Sequence, residues 1–426
     1  MLNRTIAPPQ HPIAGATLIE PEEFVFENGL RVFIFQAPAQ ELIKAEFIFQ
    51  HVFSAPENPL LHTCLSHMIK EGTTTRTSTQ IADEIDFYGA YLMPEYSFDQ
   101  TSLTLYTLRK HASSLWPIVH DVLMDAVIPE AELETFIRNN KQTLQISMQK
   151  NDYLARRIFY KYIFGESRYG STPTEEAYDS LSREDLCALY RKQIQPHNCT
   201  LILSGNISSH MLADVRSFFE TNWLSSDRGF NSSSPIFPEF IPTTIVEERP
   251  EALQSAIRLG CPSLNRAHAD FPAVQFVNTL FGGYFGSRLM RNIREEKGYT
   301  YSIGSAIASL KHGGFFTIAS EVGAETTRST LQEIEKEFVQ LRTLEPSVEE
   351  LALVKNYMMG SILGSLESIF SHADKFKAVY FYGMTLDYYR HYNEAIRSMT
   401  TPRVLEIAQQ YFDYSKLVKI VVGKLD

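Results

Sequence analysis

The chain has 426 residues, 44% of them hydrophobic and 21% charged, enough to bury sizeable cores in two or more domains. The formal charge of -11 is spread without a long acidic run, which argues against nucleic acid, because phosphate binding needs a clustered basic face. No apolar run approaches the roughly 20 residues needed to cross a bilayer, so no membrane span is expected.

The opening "MLNRTIAPPQHPIAGATLIE" has no apolar h-region. No secretory signal is read there, and a cytoplasmic location is expected. Cys64, Cys187, Cys199 and Cys261 form no C-x-x-C pair, and reduced thiols in a cytoplasmic protein are the simplest reading. "FVFENGLRVFIFQ" reads as a hairpin, two apolar runs flanking Asn28-Gly29, the dipeptide of a type I′ turn. "KAEFIFQHVFSA" continues as a third strand. Helices are expected over Leu60–Glu71 and Ser78–Tyr88, a strand over "TSLTLYTLRK", and long helices over Ser113–Val127 and Glu130–Gln149. The aromatic-rich "YKYIFGESRYG" and "VYFYGMTLDYYRHY" read as core or interface.

Leu224 to Thr244, with its serine, glycine and proline, reads as a linker. On either side lies an internal repeat. "LSREDLCALYRKQIQPHNCTLILSGNI" from Leu181 aligns without a gap with "MTTPRVLEIAQQYFDYSKLVKIVVGKL" from Met399, each a capped helix followed by a β-branched strand ending in glycine. The period is too long for a solenoid. The expected fold is α+β: two homologous domains, 1–223 and 245–426, joined by a 224–244 linker, each an antiparallel-rich sheet covered by helices on one side.

The candidate chemistry starts in "LLHTCLSHMIKEGT", Leu60 to Thr73. An inverted zinc motif reads His-x-x-Glu-His. In a frame ending on His67, Thr63 and Ser66 stand where the first histidine and the glutamate would be. His62 does not substitute simply, because five helical residues rotate it about 140° from His67. No other histidine pair stands at i and i+4, and there is no G-x-S-x-G elbow or phosphate loop.

The duplicated halves, "FENGLRVFIF", the helix before "KEGT", and "FGGYFGSRLMRNIREEKGYTYSIGS" together resemble the pitrilysin/insulinase family of zinc metallopeptidases. Within it the resemblance is to the small-subunit branch that includes mitochondrial processing peptidase and bacterial two-subunit peptidases. It runs from about Glu23 to the C-terminus. It implies that Thr63 replaces a ligand histidine and Ser66 the general-base glutamate, with His67 alone retained. The third ligand, a glutamate some 75 residues on, falls in "TFIRNNKQTLQISMQKN", which holds no acidic residue; Gln145 or Ile146 takes its place. In "YGAYLMPEYSFDQTSL", Gly89, Asp99 and Thr101 follow the family pattern, but Met93-Pro94 replaces the Asn-Ala step of the substrate strand. A proline there removes one N–H from an edge that would pair with a peptide.

Arg294 and Tyr301 keep the family's Arg-x6-Tyr pattern. Within the resemblance these two point into the active chamber, where a guanidinium and a phenol can bind a peptide carbonyl as it becomes an oxyanion. Otherwise Arg294 would pair with Glu295 or Glu296 and Tyr301 would pack in a strand. The resemblance thus implies a non-catalytic subunit, holding no zinc of its own, of a heterodimeric zinc metallopeptidase. Its expected partners are a paralogous catalytic subunit bearing the zinc and peptide substrates. The alternative is a structural or peptide-binding protein of the same fold.

Overall fold

The computed structural model describes residues 17–52, 58–223 and 234–425. The first half builds a six-stranded sheet from β1 (Glu22–Val25), β2 (Arg31–Gln36), β3 (Leu42–Gln50), β4 (Tyr91–Tyr96), β5 (Gln100–Leu108) and β6 (Cys199–Gly205), in the spatial order β1-β2-β6-β3-β5-β4. The second half builds a five-stranded sheet from β7 (Thr244–Glu248), β8 (Gln254–Pro262), β9 (Thr300–Leu310), β10 (Gly313–Gly323) and β11 (Val418–Gly423), in the order β7-β11-β8-β10-β9. Without β1 the two orders are the same. Each has one parallel pair, β2 with β6 and β7 with β11, and antiparallel pairs elsewhere. The repeated segments occupy equivalent places: helix Arg183–Gln193, capped by Ser182, leads to β6, and helix Thr401–Tyr411, capped by Thr400, leads to β11.

The hairpin turn departs from expectation. Asn28 does not take a positive φ, and only Gly29 does, at 93°. Gly29 N–H donates to the Phe26 carbonyl and Phe26 N–H to that of Leu30, so the loop is longer than the two residues of a type I′ turn. The Asn28 side chain instead donates to the carbonyls of Phe219 and Trp223, which ties the hairpin to the end of its own half. From the linker stretch, 224–233 lie outside the described residues. In the remainder Phe237 packs against Phe164 and Tyr169.

Four helices frame the site, α1 (Leu61–Met68), α2 (Glu130–Met148), α3 (Asn151–Phe164) and α4 (Ile369–Tyr380), and α3 and α4 join the halves. Strand alternation explains the placement of α3 and α4. In β2, Val32 and Ile34 face a core shared with Trp116 and Leu115 of the same half, while Phe33 and Phe35 face Phe376 and Val379 of α4, from the other half. In β11, Val418, Ile420 and Val422 face Ala155, Phe159 and Ile163 of α3. The halves therefore exchange helices. Asn151 and Ile369, the first residues of α3 and α4, stand about 218 positions apart, the same offset as the sequence repeat. This corrects the expectation of helices on one side: each sheet is covered on both faces, the second time by its neighbour.

The fit is close. A Cβ on Gly260 of β8 would stand 2.7 Å from the Phe159 ring. Polar groups follow the same exchange. Buried Lys44 and Glu46 of β3 point at α4, where Lys44 meets Asp374 at 2.7 Å and Glu46 meets Lys377 at 2.6 Å. Arg258 of β8 meets Asp152 of α3 at 2.9 Å. Burial works against the Lys44 charge, but Glu46 and Asp374 outweigh it and raise the pKa. Phe159 is fully buried, so Phe159→Ala should cost about 3–5 kcal/mol. The measurement is urea unfolding, and a loss below about 1 kcal/mol would show that the exchanged helix contributes little to stability.

Candidate functional site

Helix α1 ends at Met68, three residues earlier than expected, and "KEGT" shows why. Gly72 sits at φ 156° with Pro129 packed against it, so that a Cβ would lie 2.9 Å from that ring. Beyond it Thr73, Thr75 and Arg76 all converge on Asp121, at 2.6, 2.7 and 2.7 Å. These bonds hold the Asp121 carboxyl below its ordinary range despite burial, and they fix the end of α1 against the helix Ala112–Met124.

Two polar side chains of α1, Ser66 and His67, are turned back on the helix. Ser66 Oγ donates to the Thr63 carbonyl at 2.8 Å, and His67 Nδ1 lies 2.8 Å from the same oxygen, so it carries the proton there. Hydroxyls of serine and threonine are poor zinc ligands, and this leaves one imidazole nitrogen where a site needs three protein donors. His67 is exposed and lies against Phe136 of α2. His62 is buried on another face, its ring stacked 4.1 Å from His51. Gln145 is hydrogen-bonded to Glu175, and Ile146 is exposed. Among the described residues no three His, Cys, Asp or Glu side chains are grouped to hold a metal ion. The donor set does not fit zinc.

Sequence reasoning missed His51, which lies at the end of β3 with no motif to mark it. Its Nε2 is 2.8 Å from Thr101 Oγ1, and its ring stacks between His62 and Tyr96. Asp99, near Thr101, accepts from Arg168 at 2.9 Å and from the Tyr169 hydroxyl at 2.7 Å. Two of the three positions that follow the family pattern, Asp99 and Thr101, thus have anchoring roles. Strand β4 pairs only with β5 and forms a sheet edge. The register runs unbroken through Pro94, paired with Leu103, as expected if the missing N–H lies on the open side.

In the second half, three arginines of "SRLMRNIR" separate by environment. Arg288 is buried in a bidentate pair with Glu350, at 2.8 and 2.7 Å, and is structural. Arg291 is exposed. Arg294 lies in the π-wound segment Met290–Glu296. Its Nε donates to the Tyr301 carbonyl at 2.8 Å and its guanidinium lies 4.7 Å from the Phe285 ring centre, while Glu295 is 3.9 Å away. Tyr301 stands on β9, an edge strand, with 90% of its surface exposed. A register shift pairs Ile303 with Ser320 and Thr300 with Val322, so Tyr301 and Ser302 together lie across from Glu321. Glu321 lines a groove of about 1120 Å³ between the halves, with the α2–α3 junction on one wall and residues 249–254 on the other. Sequence reasoning placed Arg294 and Tyr301 together, and the structure joins them by a hydrogen bond. Among the described residues, neither side chain is hydrogen-bonded or ion-paired to α1.

Burial, and then the adjacent His62, push the pKa of His51 well below the usual imidazole value. The unfolded chain therefore binds a proton that the native chain refuses. Stability should fall as pH drops below about 6.5, by up to about 1.4 kcal/mol per pH unit for one such group. Urea midpoints at pH 7.5 and 5.5 should differ less in His51→Gln than in the parent. An unchanged pH dependence would show that His51 titrates normally.

Comparison with known proteins agrees with this picture. Residues 180–358 match the family model described as the peptidase M16 inactive domain. The chain is 25% identical over 352 residues to an uncharacterized zinc protease, YmxG, of Bacillus subtilis, covering 82% of this chain and 85% of that one. It is 23% identical over 317 residues to the human mitochondrial-processing peptidase subunit beta, covering 71% and 64%. Among solved structures, a peptidase M16 inactive domain from Pseudomonas fluorescens superposes with a TM-score of 0.86 at 20% identity, covering 96% of this chain and 99% of that chain. With the duplicated fold and an α1 whose donors do not fit zinc, these matches support the pitrilysin/insulinase (M16) family, inactive type, for this chain.

Proposed function

We propose that the chain is the non-catalytic subunit of a two-chain zinc peptidase. A paralogous partner with an intact His-x-x-Glu-His would hold the zinc, the attacking water and the general base. This chain would close the chamber around an extended peptide and supply Arg294 and Tyr301. The observation that carries the reading is the contrast between the halves. Ser66 and His67 on α1 are spent on the helix itself, whereas the Tyr301 phenol is exposed on a sheet edge beside the inter-half groove, with its carbonyl held by Arg294. The relatives support it in two ways: one is itself named a peptidase subunit, and the family model is described as inactive.

The chemistry asked of the pair is modest. A phenol O–H aimed at a carbonyl oxygen strengthens its bond as negative charge develops there, and it needs no proton transfer. Arg294 would hold Tyr301 in place through its carbonyl and offer its remaining N–H groups to the peptide backbone.

In a reconstituted pair, Tyr301→Phe should lower kcat by roughly 10²–10³ with little change in KM. Arg294→Ala should impair both, since it positions Tyr301 and touches the peptide before the transition state. Steady-state kinetics on a quenched fluorescent peptide would measure this. If Tyr301→Phe stays within a few-fold of the parent, the chain acts as a lid or peptide-binding protein and contributes no catalytic group.

A further inference from the structure

One pocket takes no part in the proposed chemistry and lies where the metal helix has lost its ligands. It has a volume of about 220 Å³ and is lined by Thr63 of α1, Tyr96 at the end of β4, Tyr153, Arg156 and Arg157 of α3, and Arg168. Among the described residues, three arginines and no carboxylate line it, in a chain whose net charge is -11. Each guanidinium is held differently. Arg168 is fixed from behind by Asp99 at 2.9 Å. Arg157 donates one N–H to the Pro173 carbonyl, leaving other donors of its five for a ligand. Arg156 lies over the Tyr153 ring at 5.6 Å, a contact that orients the cation without consuming its donors. Neither Arg156 nor Arg157 has a carboxylate within ion-pair distance among the described residues.

From this cluster we infer that the pocket binds a peptide carboxylate, either an acidic side chain or the C-terminal carboxylate of an extended chain. Guanidinium forks match a planar carboxylate, and the volume suits one side chain. The peptide, and not a free metabolite, follows from continuity. Tyr153 and Arg156 also line the 1120 Å³ groove between the halves, so a chain lying in the groove can place one carboxylate beside Thr63. A helix that in a zinc peptidase would present metal ligands here borders a cation-lined pocket in their place. The inference rests on the peptide-binding part of the proposed function and is independent of the partner's zinc.

The test uses the isolated full chain at low salt and fluorescence anisotropy of labelled, N-acetylated nonapeptides of Ala and Ser. One carries a central Glu and a C-terminal amide, the second Gln in its place, and the third no acidic residue but a free C-terminal carboxylate. The Glu peptide, the free-acid peptide, or both should bind about ten-fold more tightly than the Gln amide. Which one does identifies the source of the carboxylate. Sodium chloride should erase the difference. Arg156→Glu should abolish the preference and Arg156→Gln reduce it, with unchanged thermal unfolding, since Arg156 is exposed. Equal binding of all three peptides, no binding of any, or a preference that survives Arg156→Glu would overturn the inference. So would inorganic phosphate competing as tightly as the peptides, which would indicate a bare anion site. A reconstituted pair that cleaves the Glu, free-acid and Gln peptides alike would refute this pocket while leaving the subunit reading intact. A carboxylate preference in the chain alone, with no partner ever activated, would do the reverse.

Discussion

Neither sheet can bury both faces with its own half. Phe33, Phe35 and Ile48 on one, and Val418, Ile420 and Val422 on the other, need a helix that belongs to the neighbour. The reciprocal loan of α3 and α4 turns two weakly related modules into one body, because withdrawing either helix exposes a row of large apolar side chains, each worth about 1.5–3 kcal/mol in burial. It also places the functional features. The groove lies between the α2–α3 junction and the loop entering β8, and it exists because α3 crosses from one half to the other.

The same crossing determines what the degenerate end of the chain can do. In α1 the hydroxyls of Thr63 and Ser66 leave His67 bonded to its own helix, and His62 is packed away against His51. Charge in that region comes instead from α3 and the segment after it, as guanidinium groups. The N-terminal half has guanidinium groups beside a helix whose donors do not fit zinc, and the C-terminal half has an exposed phenol at an edge. On the proposed reading both would contact a peptide.

Much of this is legible in the sequence, and the limits have physical causes. The repeat around Leu181 and Met399 reveals two sheets of common order, because helix caps and β-branched strands are local signals. The altered frame at Thr63 and Ser66 is equally readable. The turn at Asn28 is not, because tertiary bonds from its side chain to Phe219 and Trp223 outweigh the local preference. The helix exchange escapes a reading of the sequence since its contacts join residues hundreds of positions apart: Glu46 meets Lys377, and Phe33 meets Phe376. The arginine pocket is invisible for the same reason. Its lining comes from four separate stretches, and none of its arginines lies in a motif.

The central question is whether this chain completes an active site it cannot form by itself. The direct measurement is a titration of purified chain into a fixed amount of the paralogue that carries the intact zinc motif, following hydrolysis of a quenched peptide. Each protein alone should be near background, with activity rising on mixing and saturating at one chain per partner. A paralogue fully active by itself and unaffected by this chain would contradict the subunit role, as would hydrolysis by this chain in the partner's absence.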